Sequence, residues 1–349
     1  MYKSLPDFFI VQICYIKEDV LGIKINNLYE YTYNSIDKNR KQIVIGLSLP
    51  NQIVPRWISD KQFLEKYVST KDITLKIEDA NSDPELQAKQ VDNLISQGID
   101  VLLLAPLNAS TAYEIVEKAK KAGVKVIAYD RLVLNSDLDL YVSFDNTKVG
   151  ELQGKFLIDN VPKGNYIILS GDPNDNNSKL YKDGAMKYIR PLVDIGSIKI
   201  IADQEIINWD PQNAYDIVNN ILNSNNKVDA ILAPNDNTAS GVIKALEEHG
   251  LAGKVAVTGQ DAQLPAIKRI VDGTQSMTVL KDVRELGKAA IDSSIKLMNG
   301  EFIATNASIN NGKINVPTIF ISPVLVTRSN ITDTLVNTGY IKVDEIYRS

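Results

Sequence analysis

The residues with the most chemistry to offer fall at the ends of short apolar runs. Val124–Ala128 runs into Tyr129-Asp130-Arg131, and Tyr141–Phe144 into Asp145-Asn146. Tyr166–Ser170 is followed by GDPNDNN, which carries Asp175 and Asn177. Ala230–Ala233 meets Asn235-Asp236, Val255–Thr258 meets Gly259-Gln260-Asp261, and Met277–Leu280 meets Lys281. The only two tryptophans, Trp57 and Trp209, also lie in segments after apolar runs, one in each half of the chain. Carboxylate, carboxamide and guanidinium groups carry paired acceptors or donors, so each can grip two neighbouring hydroxyls at once. An indole offers a large flat surface at low rotamer entropy and stacks on the C–H face of a pyranose. This is the set a neutral sugar demands. Singly, the same residues have plainer readings: Asn and Asp cap helices, Asp130-Arg131 forms a surface ion pair, and a tryptophan fills a core. Binding is favoured because all of them fall on one sheet edge.

The elements that must place them follow from the hydrophobic pattern. From Gln42 strands and helices alternate: strands over 42–49, 73–78, 101–105 and 124–128, with helices over 57–68, from an Asp83 cap to 95, and over 111–122 from a Ser110 cap. Short loops between alternating strands and helices imply a parallel sheet with right-handed crossovers, and such sheets bind ligands beyond the carboxyl ends of their strands. After Asn146 the alternation restarts and continues to a long helix over 282–298, so two α/β lobes of similar plan are expected. No Gly/Ser linker occurs near 145–150, so crossing strands are expected to join the lobes. A final strand is predicted at Thr318–Ile321 within an irregular tail.

Residues 1–41 differ, being rich in Tyr, Asn and Ile without strand–helix alternation. Val20, Ile23, Leu28 and Tyr31 have a loose helical spacing, which suggests a stalk or docking segment. Phe8–Ile16 is apolar but short, is interrupted by Gln12 and lacks a following small-residue cleavage site. It reads as the remnant or replacement of an export or anchor segment, or as an apolar element that packs on something.

Composition bounds the function. A chain of 349 residues suggests two domains. A net charge of −5 argues against a nucleic-acid-binding surface. One cysteine, Cys14, excludes an internal disulfide and a multi-thiolate metal site. The single histidine, His249, at a helix end, excludes a two-histidine site. No run of 18 apolar residues occurs. Phosphate-loop, dinucleotide and nucleophile-elbow motifs are absent, so no catalytic residue, cofactor or metal is predicted. Paired carboxylates for glycoside hydrolysis stay open, although the edge carboxylates alternate with Asn, Arg and Lys, which suits binding more than acid catalysis.

RW (56–57), AYDR (128–131), SFDNTKVGELQ (143–153), GDPNDNNSKL (171–180), NW (208–209), PND (234–236), TGQDA (258–262) and GTQSMTVLK (273–281) occur in that order. From about residue 42 to 340 this order resembles the D-xylose-binding proteins of bacterial ABC importers. The resemblance implies an α/β, type I periplasmic-binding-protein fold, each lobe a parallel sheet flanked by helices, with three hinge crossovers. The first lobe would be 42–146 plus 281–304, the second 147–280 plus 305–335, with 336–349 a C-terminal tail. Arg56 would reach the sugar from the first lobe's first loop and Trp57 would stack on one sugar face. Asp130 and Arg131 would hold hydroxyls from the first lobe, and Asp175 and Asn177 from the second. Trp209 would stack on the other face, and Asn235, Asp261 and Lys281 would complete the ring. Asp145-Asn146, at the first crossing, would cap a helix and shape the hinge.

The implied function is a non-enzymatic, extracytoplasmic receptor for D-xylose or a close aldopyranose that presents its closed form to an ABC permease. A membrane histidine kinase is the alternative partner. A sugar-modifying enzyme is a further rival, as is a sugar-responsive repressor, which would need a helix-turn-helix that 1–41 lacks. About 40 residues precede the first strand where the family has a cleaved export signal. A tethered protein is therefore an alternative to a freely diffusing one.

Overall fold

β1, Ile43–Leu49, is an apolar run with most of its residues buried, the pattern of a strand inside a parallel sheet. In the computed structural model, which describes residues 42–347 apart from Ile53, β1 lies within a seven-stranded sheet. β2 (Ile73–Asp79) and β3 (Val101–Leu104) flank it in parallel register. β4 (Lys125–Tyr129) and β5 (Leu140–Phe144) extend the sheet beyond β3. The crossovers are α1 (Pro55–Val68), α2 (Pro84–Ser96) and α3 (Tyr113–Lys121).

α2 starts as its sequence dictates. The Asp83 carboxylate accepts from the Glu85 and Leu86 N–H groups, and Pro84 fills a position that needs no donor. α3 does not start at its expected cap. Asn108 Oδ1 accepts from the N–H groups of Ser110 and Thr111, and this local turn delays the helix to Tyr113. Ser110 caps nothing.

The second sheet has four strands in the order β7 (Ile198–Glu205), β6 (Gly164–Ser170), β8 (Ala230–Leu232) and β9 (Ala256–Val257), all parallel. β10 (Thr278–Leu280) runs beside β9 through the bonds Ser276 N–H to Val257 O and Val279 N–H to Gly259 O. α4 (Asn146–Asn160), α5 (Asn176–Asp194), α6 (Pro211–Asn223), α7 (Asp236–Glu248) and α8 (Leu264–Asp272) surround this sheet. α4 and α5 meet backbone to backbone, since a Cβ on Gly150 would stand 1.9 Å from the Tyr181 carbonyl oxygen.

After β10 the chain returns to the first sheet. α9 (Val283–Asn299) packs on α1, where Tyr67 OH donates to Asp292 at 2.9 Å. β11 (Ala307–Asn310) and β12 (Asn315–Ile321) then join the seven-stranded sheet, with Thr318–Ile321 in parallel register with Tyr141–Phe144. Residues 305–321 therefore lie with the first lobe, which corrects their expected place in the second. The reason is pairing: β5 has an open edge, and β12 fills it before the chain crosses at Ser322-Pro323 to β13 (Val324–Val326), the antiparallel partner of β10.

The C-terminal tail packs on the second lobe. Ile341 and Ile346, the latter on α10 (Val343–Tyr347), are buried in a core cluster with Ile267, Ile270, Leu280 and Leu335. Residues 1–41, with the stalk, docking and export-segment readings and Cys14, lie outside the described residues. Among the described residues no helix is long and apolar enough to cross a membrane.

Candidate functional site

The carboxyl ends of strands from both sheets meet at a cavity lined by side chains of both lobes. Arg56 and Trp57 come from the first turn of α1 and are almost fully buried. Asp130 and Arg131 follow β4 directly. Asp130 adopts φ 60°, a left-handed conformation that a non-glycine residue keeps only when its surroundings impose it. Its N–H donates to Val142 O, and its carbonyl accepts from Tyr141 OH at 3.1 Å and Ser143 Oγ at 2.6 Å. The carboxylate then sits 2.7 Å from Arg56 Nη1 and 3.2 Å from Lys281 Nζ. Burial pushes the Asp130 carboxyl up, but Arg56 and Lys281 more than reverse this and hold it at about 2.

Arg56 is in turn held by Asp60, at 3.0 Å from Nε, and Asp60 accepts from Tyr129 OH. The Arg56 and Arg131 guanidinium groups lie 4.6 and 5.3 Å from the Trp57 ring centre, which anchors the indole.

The second lobe supplies the opposite wall. Asp175 caps α5 by accepting from Asn177 N–H at 2.9 Å, and its other oxygen pairs with Arg131 Nε at 2.8 Å across the lobes. Burial raises the Asp175 carboxyl, with Arg131 opposing. Trp209 has φ 57° and follows Asn208 at φ 56°, whose N–H is tied to Asp172 at 2.6 Å. The Trp209 indole lies over Gly171, where a Cβ would stand 2.0 Å from its ring, and meets the Tyr181 ring edge-on at 6.4 Å. Asn235 caps α7 by accepting from Thr238 N–H at 2.8 Å. Lys281, 1% exposed, donates to Tyr181 OH at 3.1 Å and lies 3.8 Å from Asp261. Burial raises the Asp261 carboxyl against the pull of Lys281 and Arg56.

Arg56, Trp57, Asp130, Arg131, Asp175, Trp209, Asn235, Asp261 and Lys281 all line this cavity. Asn177 is the exception. It stands behind the wall, where its amide donates to the Asp130 carbonyl at 3.1 Å and accepts from Asn146 Nδ2 at 2.9 Å. Asn146 is thus in the supporting layer too. Asp145 caps α4 by accepting from Lys148 N–H, and its own N–H donates to Ile321 O where two crossings run side by side. Val54, Tyr181 and Gln260 also line the cavity and were missed. Tyr181 lies in the middle of α5, away from any strand end, four residues after Asn177 on the same helix face. Gln260 stands beside Asp261 in the loop already singled out.

Four buried atoms on these walls have no hydrogen-bond partner among the described residues: Asp130 Oδ1, Asp261 Oδ1, Gln260 Oε1 and Trp209 Nε1. Asp130 Oδ1 is ion-paired to Arg56 and Lys281, so Asp261 Oδ1, Gln260 Oε1 and Trp209 Nε1 are the atoms left open. Two acceptors and one donor, buried beside two indoles, match the hydroxyl groups and C–H faces of a neutral polyol.

Residues 45–302 match the family model described as a periplasmic binding protein domain. The D-xylose-binding periplasmic protein of Escherichia coli (strain K12) is 42% identical over 313 residues, covering 89% of this chain and 95% of that protein. The protein of the same name from Haemophilus influenzae is 43% identical over 317 residues, covering 90% and 96%. A solved structure of a carbohydrate transporter solute-binding protein from Chloroflexus aurantiacus, in complex with D-glucose, aligns with TM-score 0.83 at 32% identity, covering 88% of this chain and 98% of that one. On the family match, the two relatives and the shared two-lobed architecture, the chain belongs to the periplasmic binding protein family.

Proposed function

We propose that this chain is an extracytoplasmic receptor that binds D-xylose, or a close aldopyranose, between its lobes. The observation that carries this reading is that Asp261 Oδ1, Gln260 Oε1 and Trp209 Nε1, buried without hydrogen-bond partners, share one interlobe cavity with two indoles. Trp57 and Trp209 would take the two ring faces. Asp130, Asp175 and Asp261 would accept hydrogen bonds from sugar hydroxyls, and Arg56, Arg131, Asn235 and Lys281 would donate to them.

Arg131–Asp175 and Asn177–Asp130 already join the lobes, and a sugar would add bonds to both sides. A ligand with contacts to both lobes favours the closed population, and hinge closure is the transition for which periplasmic binding proteins are a standing example. The ABC importer permease is the proposed reader of the closed form. A membrane sensor kinase is the alternative reader, and anchoring through 1–41 the alternative to free diffusion. Truncating 1–41 and measuring partner association separately from sugar binding distinguishes these. The reading includes no turnover: Asp130, held at about 2, has no proton to give.

Calorimetric titration with xylose, glucose, ribose and arabinose tests the ligand. Xylose is expected to bind most tightly. No heat with any pentose overturns the reading.

A further inference from the structure

Gln260 and Asp261 present polar atoms to the cavity from a loop whose backbone is costly. Asp261 has φ 93° and Ala262 φ 50°, and neither is glycine. Such a loop keeps its shape only if something outside the cavity over-determines it. Val279 O accepts from Asp261 N–H at 2.7 Å and Tyr340 OH donates to the Asp261 carbonyl at 3.4 Å, and one further residue holds both ends. Asp236, 1% exposed, is not on the cavity wall. Its N–H donates to Gln260 O at 3.0 Å, and its Oδ2 accepts from Gln263 N–H at 3.0 Å, so it grips both ends of the segment that contains Asp261 and Ala262. Oδ2 also accepts from Thr278 Oγ1 at 3.0 Å, and Thr278 Oγ1 accepts from Ala262 N–H at 3.3 Å. Oδ1 accepts from Gln275 Nε2 at 2.8 Å, and Arg269 Nη2 donates to the Asp236 carbonyl at 3.0 Å. The carboxylate reaches the loop only because residue 259 is glycine: a Cβ there would stand 2.1 Å from Asp236 Oδ1.

We propose that Asp236 is the positioning residue of the binding site, holding the 260–263 loop so that Asp261 and Gln260 face the ligand. The inference rests on the reading of the cavity as a sugar site and deepens it. Asp236 touches no ligand. Its effect passes through the loop backbone, so it sets affinity without setting which hydroxyls are read.

The test compares Asp236→Ala, Asp236→Asn and Val242→Ala in the full chain. Val242 is buried on the same helix and away from the loop, so its truncation reports general destabilisation. Amide hydrogen exchange at 260–263 reads the loop without any ligand, and calorimetry with D-xylose reads the site. Asp236→Ala is expected to speed exchange at 260–263 and weaken xylose binding roughly 10- to 100-fold, by analogy with the loss of an outer partner behind a metal ligand. Asp236→Asn, which keeps an acceptor, should recover part of both, and Val242→Ala should leave both near the wild type. Unchanged exchange at 260–263 in Asp236→Ala, or an equal effect of Val242→Ala, overturns the positioning role. If the wild type binds no sugar, the ligand reading falls, and the exchange data alone still decide for or against Asp236.

Discussion

At the scale of single residues, the site is built from groups held in positions they would not choose alone. Trp209 sits at positive φ with its ring over Gly171. Removing either indole should therefore remove a rigid anchor. Trp57→Ala and Trp209→Ala are each expected to cost roughly 1–3 kcal/mol of sugar binding, read by calorimetry. Unchanged affinity in both would sink the two-faced stack. Gly171→Ala sharpens the point, because its methyl group occupies the space of the Trp209 ring. It should lose affinity about as much as Trp209→Ala, although residue 171 touches no ligand. Lys281 illustrates a different constraint. It is buried with Asp130, Asp261 and Tyr181 around it, and truncating one partner of a buried charge set costs more than the pair contributes.

At the scale of elements, what could be read in advance was what local chemistry decides. Asp83-Pro84-Glu85 announced α2 because the cap, the proline and the acid are all within four residues. Asp130, Asp175 and Asp261 were legible as cavity residues because each follows a strand of a parallel sheet at the edge where ligands bind, and Lys281 because it follows β10 beside that edge. Tyr181 was not, because nothing local marks the middle of α5; its place depends on α5 packing beside Trp209. Asn177 was placed one layer too far forward, since spacing alone cannot tell a wall residue from its support. β12 was legible as a strand but not as the neighbour of β5, because pairing between residues so far apart in sequence leaves no local trace. Asp83→Ala tests the local kind of element. Loss of the cap on α2 should cost about 1 kcal/mol of stability, read as a lower urea midpoint with sugar affinity unchanged. A loss of affinity would mean that α2 is coupled to the site.

At the scale of the whole molecule, the buried carboxylates bear on stability in opposite senses. Asp130, held at about 2 when folded, is depressed below its ordinary 3.8. Its contribution is present above that ordinary value and is lost as pH falls towards 2. Asp236 is the reverse case. Burial, with Asp261 as a like charge, pushes its carboxyl up to about 7, against the hydrogen bonds from Gln263 and Gln275 and the charge of Arg269. The folded protein then holds a proton that the unfolded chain has released between about pH 4 and 7. Stability should fall as pH rises through that window and level off above it, with a slope of at most roughly 1.4 kcal/mol per pH unit for one proton. Asp60, Asp175 and Asp261 are raised as well, so they add to the same sign. Urea midpoints at pH 5, 6, 7 and 8 check this, with Asp236→Asn expected to flatten the slope. A wild-type midpoint that climbs from pH 5 to 7 would mean that Asp236 is ionised throughout, its charge held by the loop amides and Arg269.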